Sequence, residues 1–348
     1  MPQQNQSLST EKLVNGVLQS IEREREREII SRRFGLFDRK ETLEQIGELL
    51  GITRERVRQL EKAVVQKLRE AGEKHTLPGI EDFQTLILNK LEESGQVSRI
   101  SDLAFKLVEE PSKVEQSRIA FLCGLCPNLV VLQEDDNYHA SVGNKKFYTD
   151  KSLKEAVSSI VAAINKIGEP KDVDTIAKQA GINDPKQTEA LASTSKQLAS
   201  LNGQWGLIKW PLVNPKNIRD KIYVILKENG RHMHFNEIAD AIKESDFKRK
   251  NVTTQAIHNE LIKDKRFVLI GRGIYALKEW GYEKGTVADI IREVLREANQ
   301  PLHRDEIVKR VLKSRFVKET TILLNLQGKP QFKRVAKATY DLVDTPES

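Results

Sequence analysis

Apolar and polar positions alternate with helical spacing most clearly in "TRERVRQLEKAVVQKLR", Thr53 to Arg69. At about 100° per residue, Val57, Leu60, Val64 and Leu68 gather on one side, while Glu55, Arg58, Gln59 and Lys62 lie opposite, with Arg54 flanking them at the first turn. This predicts an amphipathic helix that Thr53 can cap at its N-terminus. Just upstream, "ETLEQIGELLG" arranges Leu43, Ile46, Leu49 and Leu50 as one stripe and ends at Gly51, a residue suited to a sharp turn. From Leu13 to Arg33 the pattern is again helical, with the mixed charges of "EREREREIISRRF" able to pair at i,i+3 and i,i+4 before Ile29, Ile30 and Phe34 anchor it. Two short helices joined by a glycine turn, with one apolar and one polar flank on the second, predict a helix-turn-helix.

The polar flank carries base-reading chemistry. Arginine can bond guanine with two parallel hydrogen bonds, glutamine can do so with adenine, and glutamate can accept from cytosine; the same cations also hold phosphates. A solvated helix face has a similar composition, and the pattern alone leaves both readings open.

The stretches "EREREREIISRRFGL" and "TLEQIGELLGITRERVRQLEKAVVQKLR" resemble region 4 of the sigma-70 family of transcription initiation factors, the part that recognises the upstream promoter element and docks on the flap of the RNA polymerase β subunit. The resemblance covers the first fifth of the chain or so. It implies that Arg54, Glu55, Arg58 and Gln59 face bases and adjoining phosphates, and that Arg25, Arg33 and Thr42 contact the DNA backbone. Ala63 and Gln66 depart from the Lys and Arg that the family often carries for activator or backbone contacts. Little chain precedes this stretch, so the aromatic-rich helical region with which such factors melt promoters is missing, and melting by this chain alone is not expected.

After "HTLPG" the pattern changes to a recurrence every 60 to 70 residues or so, each ending in two short apolar strands around a polar or Gly-bearing turn. The endings are "VVLQEDDNYHA", "QLASLNGQWGLI", "RFVLIGRGIYAL" and "FKRVAKATYDLV", with Tyr138, Trp205, Tyr275 and Tyr340 as the central aromatics of the second strands. Helical stretches such as "LKEAVSSIVAAINKIG" and "IRDKIYVILKENG" precede them. Three helices and a hairpin is the winged-helix order. The fold expected is therefore mainly α: an N-terminal helix-turn-helix over 1–76, followed by tandem winged-helix units with short β-hairpin wings at 80–148, 151–213, 216–282 and 285–345. The last two units resemble the HARE-HTH domain, through "ILKENGRHMHFNEIADAI" and "VTTQAIHNELIKDKRFVLIGRGIYALKEW", the final unit being a divergent copy. That family is taken as a DNA-binding or polymerase-associated module. In the third unit Lys248, Arg249 and Lys250 precede the third helix, Lys263, Lys265 and Arg266 follow it, and Arg272 sits in the wing, a distribution able to straddle a phosphate backbone, although Asp246, Glu260 and Asp264 dilute it.

Composition adjusts this picture only slightly. In 348 residues, 57 Lys and Arg against 50 Asp and Glu leave a net charge of +7, a mild preference for a polyanionic partner. No stretch is long and apolar enough to span a bilayer, and "MPQQNQSLSTEK" lacks the basic and apolar segments of a signal peptide, so a cytoplasmic, nucleoid-associated location is expected. Cys123 and Cys126 form a C-x-x-C without a second ligand pair, which favours structural thiols over zinc; "HMH" at 232–234 leaves a metal sphere equally open. No phosphate-cradling glycine loop, nucleophile elbow or carboxylate cluster is present, so neither catalysis, a cofactor nor a small-molecule substrate is expected. These readings converge on a bacterial transcription protein that binds double-stranded promoter DNA and associates with the RNA polymerase core. Two alternatives stand beside it: a polymerase accessory protein that does not read sequence, and a DNA-binding regulator that never meets polymerase.

Overall fold

A computed structural model describes residues 9–247, 249, 251–282 and 284–343, and the chain divides into two compact units, Met1–Lys209 and Trp210–Ser348. The first begins with α1 (Thr10–Gln19), α2 (Glu24–Phe34), α3 (Leu43–Leu50) and α4 (Arg54–Glu73). The helix expected to run unbroken from Leu13 to Arg33 is thus two. Ser20 donates its hydroxyl to the Val17 carbonyl at 2.6 Å and Ile21 N–H reaches Leu18 O at 3.0 Å, turning the chain so that Ile21 drops into the core. Thr42 caps α3 reciprocally: Gln45 N–H donates to its hydroxyl at 3.2 Å, and Thr42 N–H donates to the Gln45 amide oxygen at 2.9 Å. Gly51 takes φ 65°, the left-handed geometry that turns α3 into α4, and Thr53 receives Arg56 N–H at 3.2 Å. Ile29, Ile46 and Val57 form the core of this turn, with Leu43, Leu50 and Leu60 partly buried against them. Leu49 does not join the stripe and is 54% exposed, because it lies about 90° round α3 from the centre of the face made by the other three.

Four repeats of one order follow. Repeat I comprises α5 (Ile80–Glu93), β1 (Val97–Arg99), α6 (Ile100–Leu107), α7 (Lys113–Cys123), β2 (Leu129–Leu132) and β3 (Ser141–Asn144). Repeat II comprises α8 (Asp150–Ile167), β4 (Lys171–Asp172), α9 (Val173–Ala180), α10 (Pro185–Thr194), β5 (Leu198–Leu201) and β6 (Gln204–Leu207). The second compact unit holds repeat III, with α11 (Ile218–Asn229), β7 (Met233–His234), α12 (Phe235–Glu244), α13 (Thr254–Lys263), β8 (Phe267–Gly271) and β9 (Ile274–Leu277). It also holds repeat IV, with α14 (Val287–Ala298), β10 (Leu302–His303), α15 (Arg304–Ser314), α16 (Glu319–Gly328), β11 (Phe332–Ala336) and β12 (Thr339–Leu342). In every repeat the last strand lies between the other two in an antiparallel sheet. Trp205, Tyr275 and Tyr340 occupy the second hairpin strands and are buried, as expected of them. Tyr138 is not so placed: β3 starts at Ser141, Val142 fills the buried position, and Tyr138 lies in the connecting loop, bridged to Ser195 of repeat II.

The Pro78–Gly79 turn after the helix-turn-helix is no break in packing. One core runs from Val14, Val17, Ile30, Leu36, Val64 and Leu68 into Phe83, Ile87, Ile119, Leu122 and Cys123 of repeat I. Each such side chain contributes about 1.5–3 kcal/mol when fully buried. Phe34 and Phe121 meet with ring centroids 5.0 Å apart. Arg118, on α7, donates Nε–H to the Leu36 carbonyl at 2.7 Å and pairs with Glu11 of α1 at 3.0 Å. Gly72 of α4 lies so close to repeat I that a Cβ there would strike the Leu125 carbonyl oxygen.

Candidate nucleic-acid interface

Burying Val64 and Leu68 against this core, and Val57 against Ile29 and Ile46, fixes the rotation of α4 and leaves Arg54, Glu55, Arg58, Gln59 and Lys62 exposed on the other flank. These side chains are coupled to one another. Arg58 donates Nε–H and Nη2–H to the two oxygens of Glu55 at 2.8 and 2.7 Å, and Gln59 donates to Glu55 at 3.3 Å. The guanidinium holds the Glu55 carboxyl down at about 2, and the carboxylate in turn raises Arg58. The row therefore presents a bidentate surface ion pair and an amide bonded to it.

Of the three residues expected to touch the backbone, Arg25 sits toward the N-terminal end of this row and Arg33 at its other end, beside Glu61. Thr42 is exposed at the start of α3. Arg25 is exposed and donates to the Leu50 carbonyl at 2.5 Å. Arg33 is half-buried, bonding Glu61 at 3.2 Å and the Glu41 carbonyl at 3.2 Å, so part of its donor set ties α2 to α4. Sequence reasoning missed the ties between Arg33 and Glu61 and between Arg58 and Glu55, although the latter is an i,i+3 pair of opposite charges.

The second set, in repeat III, is more dispersed. Arg249, Lys263, Lys265 and Arg272 are exposed, whereas Lys248 and Lys250 lie outside the described residues. Arg266 faces inward: Asp264 holds it at 2.7 Å and Asp220 at 3.1 Å, and its guanidinium sits 5.3 Å from the Tyr223 ring centre. Asp264, one of the acids that dilute this region, thus engages one of its cations together with Asp220.

The two tempting metal motifs have structural roles here. Cys123 and Cys126 are buried free thiols; burial pushes Cys123 well up and Cys126 to about 12, and Cys126 donates to the Leu122 carbonyl at 3.3 Å. His234 caps α12, its Nδ1 accepting from Asn236 N–H at 3.3 Å, and His303 does the same for α15 with Asp305 N–H at 3.3 Å. Among the described residues no three His, Cys, Asp or Glu stand together as a metal site, and no helix is long and apolar enough to cross a membrane.

Residues 23–70, which hold this row, match the family described as Sigma-70, region 4. Over 57 residues the chain is 47% identical to the RNA polymerase sigma factor SigA1 of Synechococcus elongatus, covering 16% of this chain and 14% of that protein. Over 48 residues it is 54% identical to RpoD of Helicobacter pylori, covering 13% of this chain and 7% of RpoD. Over 46 residues it is 50% identical to the sigma factor sigB of Arabidopsis thaliana, 13% of this chain and 8% of that protein. The chain thus spans no more than about a seventh of the length of these relatives, and the likeness is confined to the helix-turn-helix.

Proposed function

We propose that the chain is a transcription initiation or regulation protein that inserts the N-terminal half of α4 into the major groove of promoter DNA, and that it recognises its target without covalent chemistry, cofactor or small-molecule substrate. One observation carries the reading: the exposed, mutually bonded row from Arg54 to Lys62 lies in the segment that matches sigma-70 region 4. Arg58 and Gln59 supply guanine and adenine contacts and Glu55 a cytosine contact, while Arg54, Lys62, Thr42, Arg25 and Arg33 hold phosphates.

The four repeats are winged-helix units in this reading, supported by their shared order of helix, short strand, two helices and hairpin, with repeats III and IV of the HARE-HTH kind. Association with the RNA polymerase core, by its β flap, follows the likeness to sigma factors. So do a cytoplasmic location and residence on the nucleoid.

Selecting duplexes from a randomised pool with the full chain tests the reading. The wild type enriches a motif, and Arg58→Ala with Gln59→Ala weakens binding to it by about 1–3 kcal/mol per lost base contact and relaxes the preference. An unchanged preference in the double variant would sink the proposal. Retention of core polymerase on the immobilised chain at low salt tests the second partner separately.

A further inference from the structure

Beyond its base-reading end, α4 continues beside a cleft of about 590 Å³ lined by Arg33, Lys40, Lys62, Gln66 and Arg69 and, from repeat I, Gln133. Arg58 lines it as well, and Glu61 is the one carboxylate among the described lining residues. The two are already compensated, Arg58 by Glu55 and Glu61 by Arg33. The side chains of Lys40 and Lys62 are exposed and form no hydrogen bond or ion pair among the described residues, and the Arg69 guanidinium bonds only the Gly124 carbonyl, with no carboxylate in hydrogen-bonding reach. The acids that follow Gln133 do not line the cleft: Glu134 pairs with Lys196 of repeat II at 2.8 Å, although Lys40 also feels its charge, and Asp135 accepts from Asn137 and Tyr138 N–H at 2.7 and 2.8 Å.

We propose that this cleft receives one phosphate strand of the duplex that α4 reads, making the sigma-like module and repeat I a single DNA-binding surface. The spacing suits the task. Along the axis Lys62 lies about 6 Å and Arg69 about 16 Å beyond Arg58, while the major groove is about 12 Å wide; a helix whose first turns face the base edges passes the groove's phosphate wall over that interval. Lys40 on the α2–α3 turn and Gln133 at the foot of the β2–β3 hairpin face the same strand from two further elements. The shared core holds them in register with α4. The inference rests on the groove-reading orientation above, but it predicts contacts that carry no sequence information.

The experiment measures binding of the full chain to a mixed-sequence duplex as salt is raised, which depends on phosphate contacts and not on base reading. Each lost phosphate contact lowers the slope of log affinity against log salt by about 0.9. Lys40→Ala with Arg69→Ala, two cations the base-reading proposal does not use, therefore reduces the slope by about 1.8, and Gln133→Lys raises it by about 0.9. Thermal unfolding midpoints confirm that these surface variants fold. An unchanged slope in the double variant overturns the cleft as a phosphate site, and an unchanged slope in Gln133→Lys overturns the part assigned to repeat I. Either result leaves the base-reading proposal standing if Arg58→Ala with Gln59→Ala still relaxes the selected motif.

Discussion

Glu55 and Arg58 meet through two parallel hydrogen bonds of 2.7 and 2.8 Å on the exposed flank of α4, so two opposite charges of that flank are paired with each other. The depressed carboxyl has a direct readout. In a pH titration followed by carbon NMR, Glu55 should titrate near 2, and Arg58→Ala should return it toward its ordinary 4.5. Because the folded value lies below the unfolded one, the pair's contribution to stability is complete above about 4.5 and is lost as pH falls through about 2. Duplex binding should therefore show no step from Glu55 between pH 5 and 8.

The start of α4 depends on one hydroxyl. Thr53→Ala removes the acceptor for Arg56 N–H and should lower unfolding free energy by about 0.5–2 kcal/mol in urea titrations, while Thr53→Ser should recover most of it.

Docking of the helix-turn-helix on repeat I rests on a close approach and a buried cation. Gly72→Val drives a side chain into the Leu125 carbonyl and should cost about 1–3 kcal/mol as overpacking. Arg118→Met leaves the Leu36 carbonyl without its donor and should cost a further ~1–3 kcal/mol. Both losses should be visible as lower midpoints in denaturant, and amide exchange should rise on both sides of the contact, in α2 and α7 together.

Buried thiols resist chemistry. With Cys126 raised to about 12 and Cys123 higher still, neither forms appreciable thiolate at pH 8. A chromogenic disulfide reagent should label both within minutes in denaturant and only at the rate of opening in buffer. Prompt labelling of the folded chain would contradict the burial.

How much of this was legible in the sequence depended on the range of the interaction concerned. The polar and apolar flanks of α4, the cap at Thr53 and the turn at Gly51 are encoded within a few residues and can be read there; the Thr42 cap, equally local through Gln45, was not read. Three of the hairpin aromatics were placed for the same reason; Tyr138 was not, because the loop after β2 is long and the strand it was assigned to starts later. Leu49 looked apolar enough for the stripe, yet eight residues of α3 give its face too narrow an arc to include it. The short strands before each second helix, such as Met233–His234, carry no periodic signal at two or three residues. The core shared between Val64 and Leu122, the inward turn of Arg266 and the cleft between α4 and Gln133 join segments far apart in the chain, and no local pattern announces them.

Gly72, a hydrogen in place of a side chain, lets two backbones touch, and its consequence is geometric. Because the two also share one core, a partner gripping repeat I would stand at a distance from the exposed flank of α4 that the fold itself sets, without touching any residue on that flank.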